Sequence, residues 1–230
     1  MTTTGFQRAR SAEAKQQRET AILAAARALA TDRGIRRITL TDIAEAVGMH
    51  KSALLRYFEN REQIFLLLSA EDWRDWSPAL RASLAGLEAT APADPAAVAS
   101  AIAASLAERP VFCDLLAQAP LSLERAVSVD AVLAYKLVTH DELDAIVASL
   151  LRVLPMLTEG DAVDIVAAAT SLSGAFFEMA TPGPAIEALY RSDPRLAHAV
   201  VEVEPRVARM LTAMIDGMSR ARQHGPVDES

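Results

Sequence analysis

The sequence predicts an all-α protein, on three observations. Apolar residues make up 51% of the 230-residue chain and aromatics only 5%, so the core must be built largely from Ala, Leu and Val. Ala and Leu are strong helix formers. No segment sustains the period-two alternation between turn residues that marks a strand, whereas apolar positions recur at helical spacing in one segment after another. The expected organisation is a polar, flexible arm over residues 1–11, a small helical domain with a helix-turn-helix over 12–60, and a larger helical domain over 61–230.

In chain order, Arg8 and Arg10 give the arm a basic character suited to a minor groove. The first helix is expected from about Ser11 to Arg33, with Ile22, Ala26 and Leu29 on one face and Gly34 as its stop. The stretch Thr39–Phe58, TLTDIAEAVGMHKSALLRYF, then carries two short apolar-periodic segments around Gly48. Ile43, Ala44 and Val47 face inward on the first, Leu54 and Phe58 on the second, which is the pattern of a helix-turn-helix. Thr39 with Asp42 three residues on is a capping signal, and the first-turn amides behind it suit a phosphate. Lys51, Ser52, Arg56 and Tyr57 point outward, and such side chains bond to base edges or phosphates.

A long helix is expected from Arg61 past Trp73 and Trp76, kinked at Pro78. The Ala/Pro-rich run 88–97 reads as a loop, with Pro95 opening a helix that runs to Arg109. Pro110 opens a short apolar helix, and another helix runs from about Val129 to Leu154. Residues 159–180 are rich in Ala, Ser and Gly, and residues 194–220 carry Val200, Val203, Val207, Met210, Met214 and Met218 as a stripe. Such a pair suits a four-helix interface with a second copy of the chain, on Val163, Ala167, Thr170 and Gly174 from the first helix and Val203, Val207, Met210 and Met214 from the second.

Charge is divided unevenly. The first 60 residues hold ten Lys/Arg against six Asp/Glu, and the other 170 hold thirteen against twenty-four. An acidic chain with a basic first quarter suggests a nucleic-acid contact at one end. The single Cys113 excludes an intramolecular disulfide. No secretory signal is visible, and no stretch reads as long and charge-free enough to span a bilayer, so a cytoplasmic protein with no membrane partner is expected.

The residues from Thr39 to Leu66, with the helix before them, resemble the DNA-binding domain of TetR-type (TetR/AcrR-like) transcriptional regulators. The matching pieces are TLTDIAEAVG, LLRYF and ENREQIF, with Ile43-Ala44, the Gly48 turn, Tyr57-Phe58 and Arg61 at the family's positions. The resemblance covers residues 12–68; beyond that only the helix pattern agrees. It implies phosphate contacts for Thr39 and Arg61 and base-reading roles for Thr41, Lys51, Ser52 and Ala53. It further implies that residues 61–230 bind a small-molecule effector and dimerise, so that a homodimer holds a palindromic double-stranded DNA operator, most often as a repressor released by its ligand. The expected ligand pocket is lined by Trp73, Phe112, Leu116, Tyr135, Phe176 and Phe177. Three departures stand out: His50 replaces the usual Ser or Thr before the recognition helix, Ser52 stands near where Gly or Pro is common, and Leu55 replaces a phosphate-contacting Tyr.

No catalytic constellation is found. The chain lacks the G-x-S-x-G elbow and both phosphate-cradling glycine motifs, and His50, His140, His198 and His224 are scattered over unrelated elements. No enzyme, metal site or cofactor is expected, since His140 among Asp141 and Glu142 has no second His or Cys at ligand spacing. The alternative from another class is a helical protein-interaction module without specific DNA binding.

Overall fold

The computed structural model describes residues 3–88, 94–199 and 201–223, and the regular elements among them are all helical. Helix α1 spans Thr3–Arg33 and so takes up most of the segment expected as a flexible arm. Gln7, Arg8, Ala9 and Arg10 of that segment are good helix formers and outweigh Gly5. Met1, Thr2 and the side chains of Arg8 and Arg10 lie outside the described residues, as do residues 89–93 of the expected loop.

Gly34 ends α1 with φ at +74°, and its amide donates to the Ala30 carbonyl at 2.9 Å. A short 3-10 turn, Ile35–Arg37, leads to α2 (Leu40–Ala46). Thr39 caps α2 as the sequence predicts: its hydroxyl accepts from the Asp42 amide at 3.2 Å, while Asp42 accepts from the Thr39 amide at 2.7 Å. Gly48 makes the turn at φ +64°, a conformation that costs glycine little. Helix α3 is regular only over Lys51–Leu54 and continues as turns to Tyr57. His50 does cap it, with Nδ1 accepting from the Ser52 amide at 3.3 Å. Ile22 and Ala26 of α1, Ile43 of α2, Leu54 of α3 and Phe58 are buried in one small core, which makes a rigid head.

Helix α4 (Arg61–Glu88) runs unbroken through Pro78 and joins the head to a body of helices α5 (Pro95–Ala107), α6 (Pro110–Gln118), α7 (Val129–Val153), α8 (Glu159–Ala180), α9 (Pro184–Ser192) and α10 (Val203–Gln223). Helix α4 lies along α7, α6 along α8, and α10 on both α5 and α8. A π-helical turn, Ala119–Leu123, extends α6. Trp73 and Trp76 of α4 meet each other and Phe112 of α6 with ring centroids 5.3–5.8 Å apart, and Trp76 Nε1 donates to Ser105 Oγ at 2.9 Å. Edge-on aromatic contacts of this kind add about 0.5–1.5 kcal/mol each beyond the area they bury.

Three expectations about the last helices change. The segment 184–192 is a separate helix, α9, opened by Pro184 at its first position, so the final helix starts only at Val203. On α10 the buried stripe is Val207, Leu211 and Ile215, with Ser219 one turn on, and Met210 is exposed; Val200 lies outside the described residues. The aliphatic side of α10 meets α5, leaving the methionines toward the edge. By length and composition alone α8 is apolar enough to cross a bilayer, contrary to the sequence reading. Ile165, Val166, Ala169 and Phe176 are nevertheless buried, in a helix that packs on α5, α6, α7 and α10.

Candidate nucleic-acid interface and ligand cavities

The outer surface of the helix-turn-helix is polar because its apolar residues are consumed by the head core. Thr39, Thr41, Lys51, Ser52 and Arg56 are exposed, Ala53 and Tyr57 half-buried. Lys51 and Arg56 have no ion-pair partner among the described residues. The Leu40 and Thr41 amides, in the first turn of α2, have no intrahelical acceptor. Leu55 is 45% exposed, an apolar spot at the end of the recognition helix.

Arg61 has a different position from the one its resemblance implies. Its guanidinium donates from Nε to the Ile38 carbonyl and from Nη2 to the Ile35 carbonyl. It also pairs with Glu62 at 2.8 Å and lies 4.8 Å from the centre of the Phe65 ring. With its donors turned into the head, this side chain holds the 35–38 segment to α4 rather than facing a phosphate. The carbonyls that capture it come from 23 and 26 residues earlier in the chain.

Contacts that sequence reasoning missed join the head to the body. At the end of the recognition segment Glu59 accepts from the Ser128 amide at 2.9 Å and from its hydroxyl at 2.5 Å. These bonds hold the Glu59 carboxyl below its usual range. Asn60 Oδ1 accepts from the Gln63 amide at 2.9 Å, capping α4, while its Nδ2 donates to the Ala126 carbonyl at 2.6 Å. The recognition segment is thereby tied to the start of α7. At the other side Asp114 of α6 accepts from the Ile35 amide at 2.8 Å, and Arg36 pairs with Glu178 of α8 at 2.9 Å. Between α1 and α4, Arg27 donates to the mostly buried Asp72 at 2.6 Å. Burial pushes the Asp72 carboxyl up, and Arg27 pulls it back in part. The Asn60-x-x-Gln63 spacing was a readable capping signal; the partners across the joint were not readable.

The six residues expected to line one pocket do not converge. Trp73 lies on a groove of about 380 Å³ between α4, α7 and α8, with Thr139, His140, Leu143, Val166 and Thr170. Tyr135 lies on a smaller groove of about 160 Å³ between α4 and α7, and its hydroxyl is 3.2 Å from Ser69 Oγ. Phe177 lies on a cleft between head and body. Phe112, Leu116 and Phe176 line none of these, because Phe112 and Phe176 are buried in the core and Leu116 packs against it.

The expected dimer residues also divide. Gly174 is buried against α6, where a Cβ would come within 2.9 Å of the Ala117 amide nitrogen, and Val207 is wholly buried within the chain. Thr170 is buried, with its hydroxyl donating to the Val166 carbonyl at 2.9 Å. Ala167 and Met210 are exposed, and Val163, Val203 and Met214 half-buried.

Comparison with known proteins gives this arrangement a place. Residues 22–68 match the model of the bacterial regulatory proteins of the tetR family, and residues 70–222 match the tetracyclin repressor-like C-terminal domain. No curated protein matches the chain. Among solved structures it is similar to a transcriptional regulator of the TetR/AcrR family from Thermobifida fusca, at 15% identity over 87% of this chain and 98% of that one, with a TM-score of 0.49. It is similar also to the fatty acid degradation regulator FadR from Bacillus halodurans, at 14% identity over 84% of this chain and 97% of that one, with a TM-score of 0.49. On the family matches, which together take in nearly all of the described body and head, the chain belongs to the TetR family of transcriptional regulators.

Proposed function

We propose that this chain is a repressor that binds a palindromic operator in the cytoplasm as a homodimer and is released from it by a small molecule. The observation that carries the reading is the exposed, unpaired Lys51 and Arg56 on a rigid head, beside Thr41 and Ser52, in a chain that is otherwise acidic. Lys51, Ser52 and Ala53 read bases, and Thr39, Thr41, Arg56 and Tyr57 contact the backbone. Arg61 is left out of this set, since its donors serve the head. The domain division follows α4: residues 12–60 bind DNA, and residues 61–230 bind ligand and dimerise.

Two recognition segments need a spacing of roughly 34–36 Å to enter successive major grooves. Support for dimerisation comes from the outward faces of α8 and α10. Ala167, Ser171 and Ala175 on one, and Met210, Ala213 and Gly217 on the other, are exposed and mostly small, which permits close helix approach. The effector is best seated in the groove of about 380 Å³, a largely apolar site with a few polar groups, beside the α8 face. A ligand there shifts the head only by binding one arrangement of α4 and α7 better than the other. Glu59–Ser128 and Asn60–Ala126 would carry a movement of α7 to the recognition segment.

A gel shift on the promoter beside the chain's own gene tests the reading, with binding to a palindrome that weakens steeply with salt. Lys51→Ala should relax preference at one operator position, at a cost of about 1–3 kcal/mol, while leaving the other positions as they were. Uniform weakening on all sequences would remove Lys51 from the base-reading set. In sedimentation, Ala167→Arg should convert the dimer to a folded monomer; an unchanged dimer would move the interface off this face. The alternative of an interaction module is favoured by the exposed stripe Val129, Leu133 and Leu137 on α7. Absent or sequence-independent binding at low salt would support it.

A further inference from the structure

Between head and body lies a cleft of about 690 Å³, larger than either groove of the body. Its wall on the α6 side is Pro110, Val111 and Asp114, the last only 5% exposed. One carboxylate oxygen accepts from the Ile35 amide; the other is buried and has no donor. The group that interacts with it is a second carboxyl, Glu178, which receives Arg36 at 2.9 Å and Gln118 at 3.1 Å. The Glu178 charge works against ionisation of the Asp114 carboxyl. Burial, reinforced by Glu178, accordingly pushes Asp114 up to about 6. The cleft also carries Arg37, whose guanidinium has no hydrogen bond or ion pair among the described residues.

We propose that this cleft binds a small zwitterion, an amine joined to a carboxylate, whose ammonium donates to Asp114 and Glu178 and whose carboxylate is taken by Arg37. The mixed charge selects the class. A cation alone would meet Arg33, Arg36 and Arg37, and an anion alone would meet Asp114 and Glu178. An ammonium brings three donors, enough for both carboxyls and one more acceptor, and it supplies the donor that the buried Asp114 Oδ1 lacks. Arg36 gives up Glu178 on binding, and because Arg36 is mostly exposed, that exchange costs little. The charged groups around Asp114 are Glu178 from α8 and Arg33, Arg36 and Arg37 from the end of α1 and its following turn. The adjoining Cys113 thiol stays protonated, at about 12. Binding therefore releases a proton at and below the Asp114 range, and affinity falls as pH is lowered through about 6. The site lies apart from the DNA surface and the body grooves, so it stands or falls independently of operator binding.

Isothermal titration of the full chain, without DNA, tests this with straight-chain ω-amino carboxylates from glycine through β-alanine and γ-aminobutyrate to ε-aminocaproate. At least one should bind roughly tenfold or more tightly than both n-butylamine and butyrate, which offer one charge each. Asp114→Asn and Arg37→Gln should each weaken that binding by roughly tenfold or more, with unchanged helical circular dichroism. The Arg37 side chain is exposed and makes no bond that the fold uses, so its variant keeps the test open if Asp114→Asn fails to fold. Absence of heat for the whole series, equal binding of either single-charge control, or parental affinity in a folded variant would overturn the proposal.

Discussion

Replacing Arg61 with alanine should lower the stability of the head by about 2–3 kcal/mol, visible in urea denaturation followed by circular dichroism. The guanidinium serves the Ile35 and Ile38 carbonyls at once and covers the Phe65 ring. Hydrogen bonds involving a charged partner contribute about 1.5–3 kcal/mol each. Water can reach part of the vacated site, since the side chain is 20% exposed, so the loss should stay nearer one such bond than two. Arg61→Lys should recover little, because an ammonium on a flexible stem cannot reproduce the fork that reaches both carbonyls. A different outcome, with stability unchanged and DNA binding weaker at every sequence, would return Arg61 to the phosphate contact its family position implies.

The second large effect is expected at Gly174. A Cβ there would stand 2.9 Å from the Ala117 nitrogen and 3.2 Å from both the Ala117 Cα and the Cys113 carbonyl oxygen. All three are backbone atoms of α6, so no side chain can swing away, and Gly174→Ala has to push α6 and α8 apart. Overpacking of this kind costs about 1–3 kcal/mol, against which the better helix propensity of Ala returns at most about 1. The effect should spread beyond α6, because that helix holds Asp114 against the Ile35 amide of the head. In amide exchange the Ile35 N–H should lose protection along with residues 113–117. If the melting temperature is unaltered and Ile35 stays protected, the α6–α8 approach is looser than the distances imply.

Much of the head was legible because its determinants are local. Gly48 at a positive φ, the Thr39–Asp42 cap and the spacing of Ile43, Leu54 and Phe58 all operate within a few residues of one another. Arg61 was not legible, since its partners come from the other end of the head. The α10 helix shows a different limit. It carries a methionine stripe and an aliphatic stripe, both at helical spacing, and periodicity alone does not say which one meets α5. In the fold, Val207, Leu211 and Ile215 are the ones buried, on a helix packed against α5 and α8. The aromatics expected to line one pocket are dispersed for a related reason: Trp73 and Phe112 pack on each other and on Trp76, and a sequence does not reveal whether large rings surround a space or fill it. Helix α9 carries ordinary boundary signals, Gly183-Pro184 at its start and Arg191 near its end, but no buried stripe that would set it apart from a loop.

Cys113 gives this molecule a built-in clock. It is the only thiol in the chain, it lies where α6 meets α8, and its S–H donates to the Leu106 carbonyl at 3.3 Å. Burial, with the Asp114 charge beside it, pushes the thiol up to about 12, so the reactive thiolate is nearly absent while the joint is closed. A thiol reagent at neutral pH can therefore react only as fast as α6 lifts away. The labelling rate reads out the opening of the α6–α8 contact, without a fluorophore or an introduced residue.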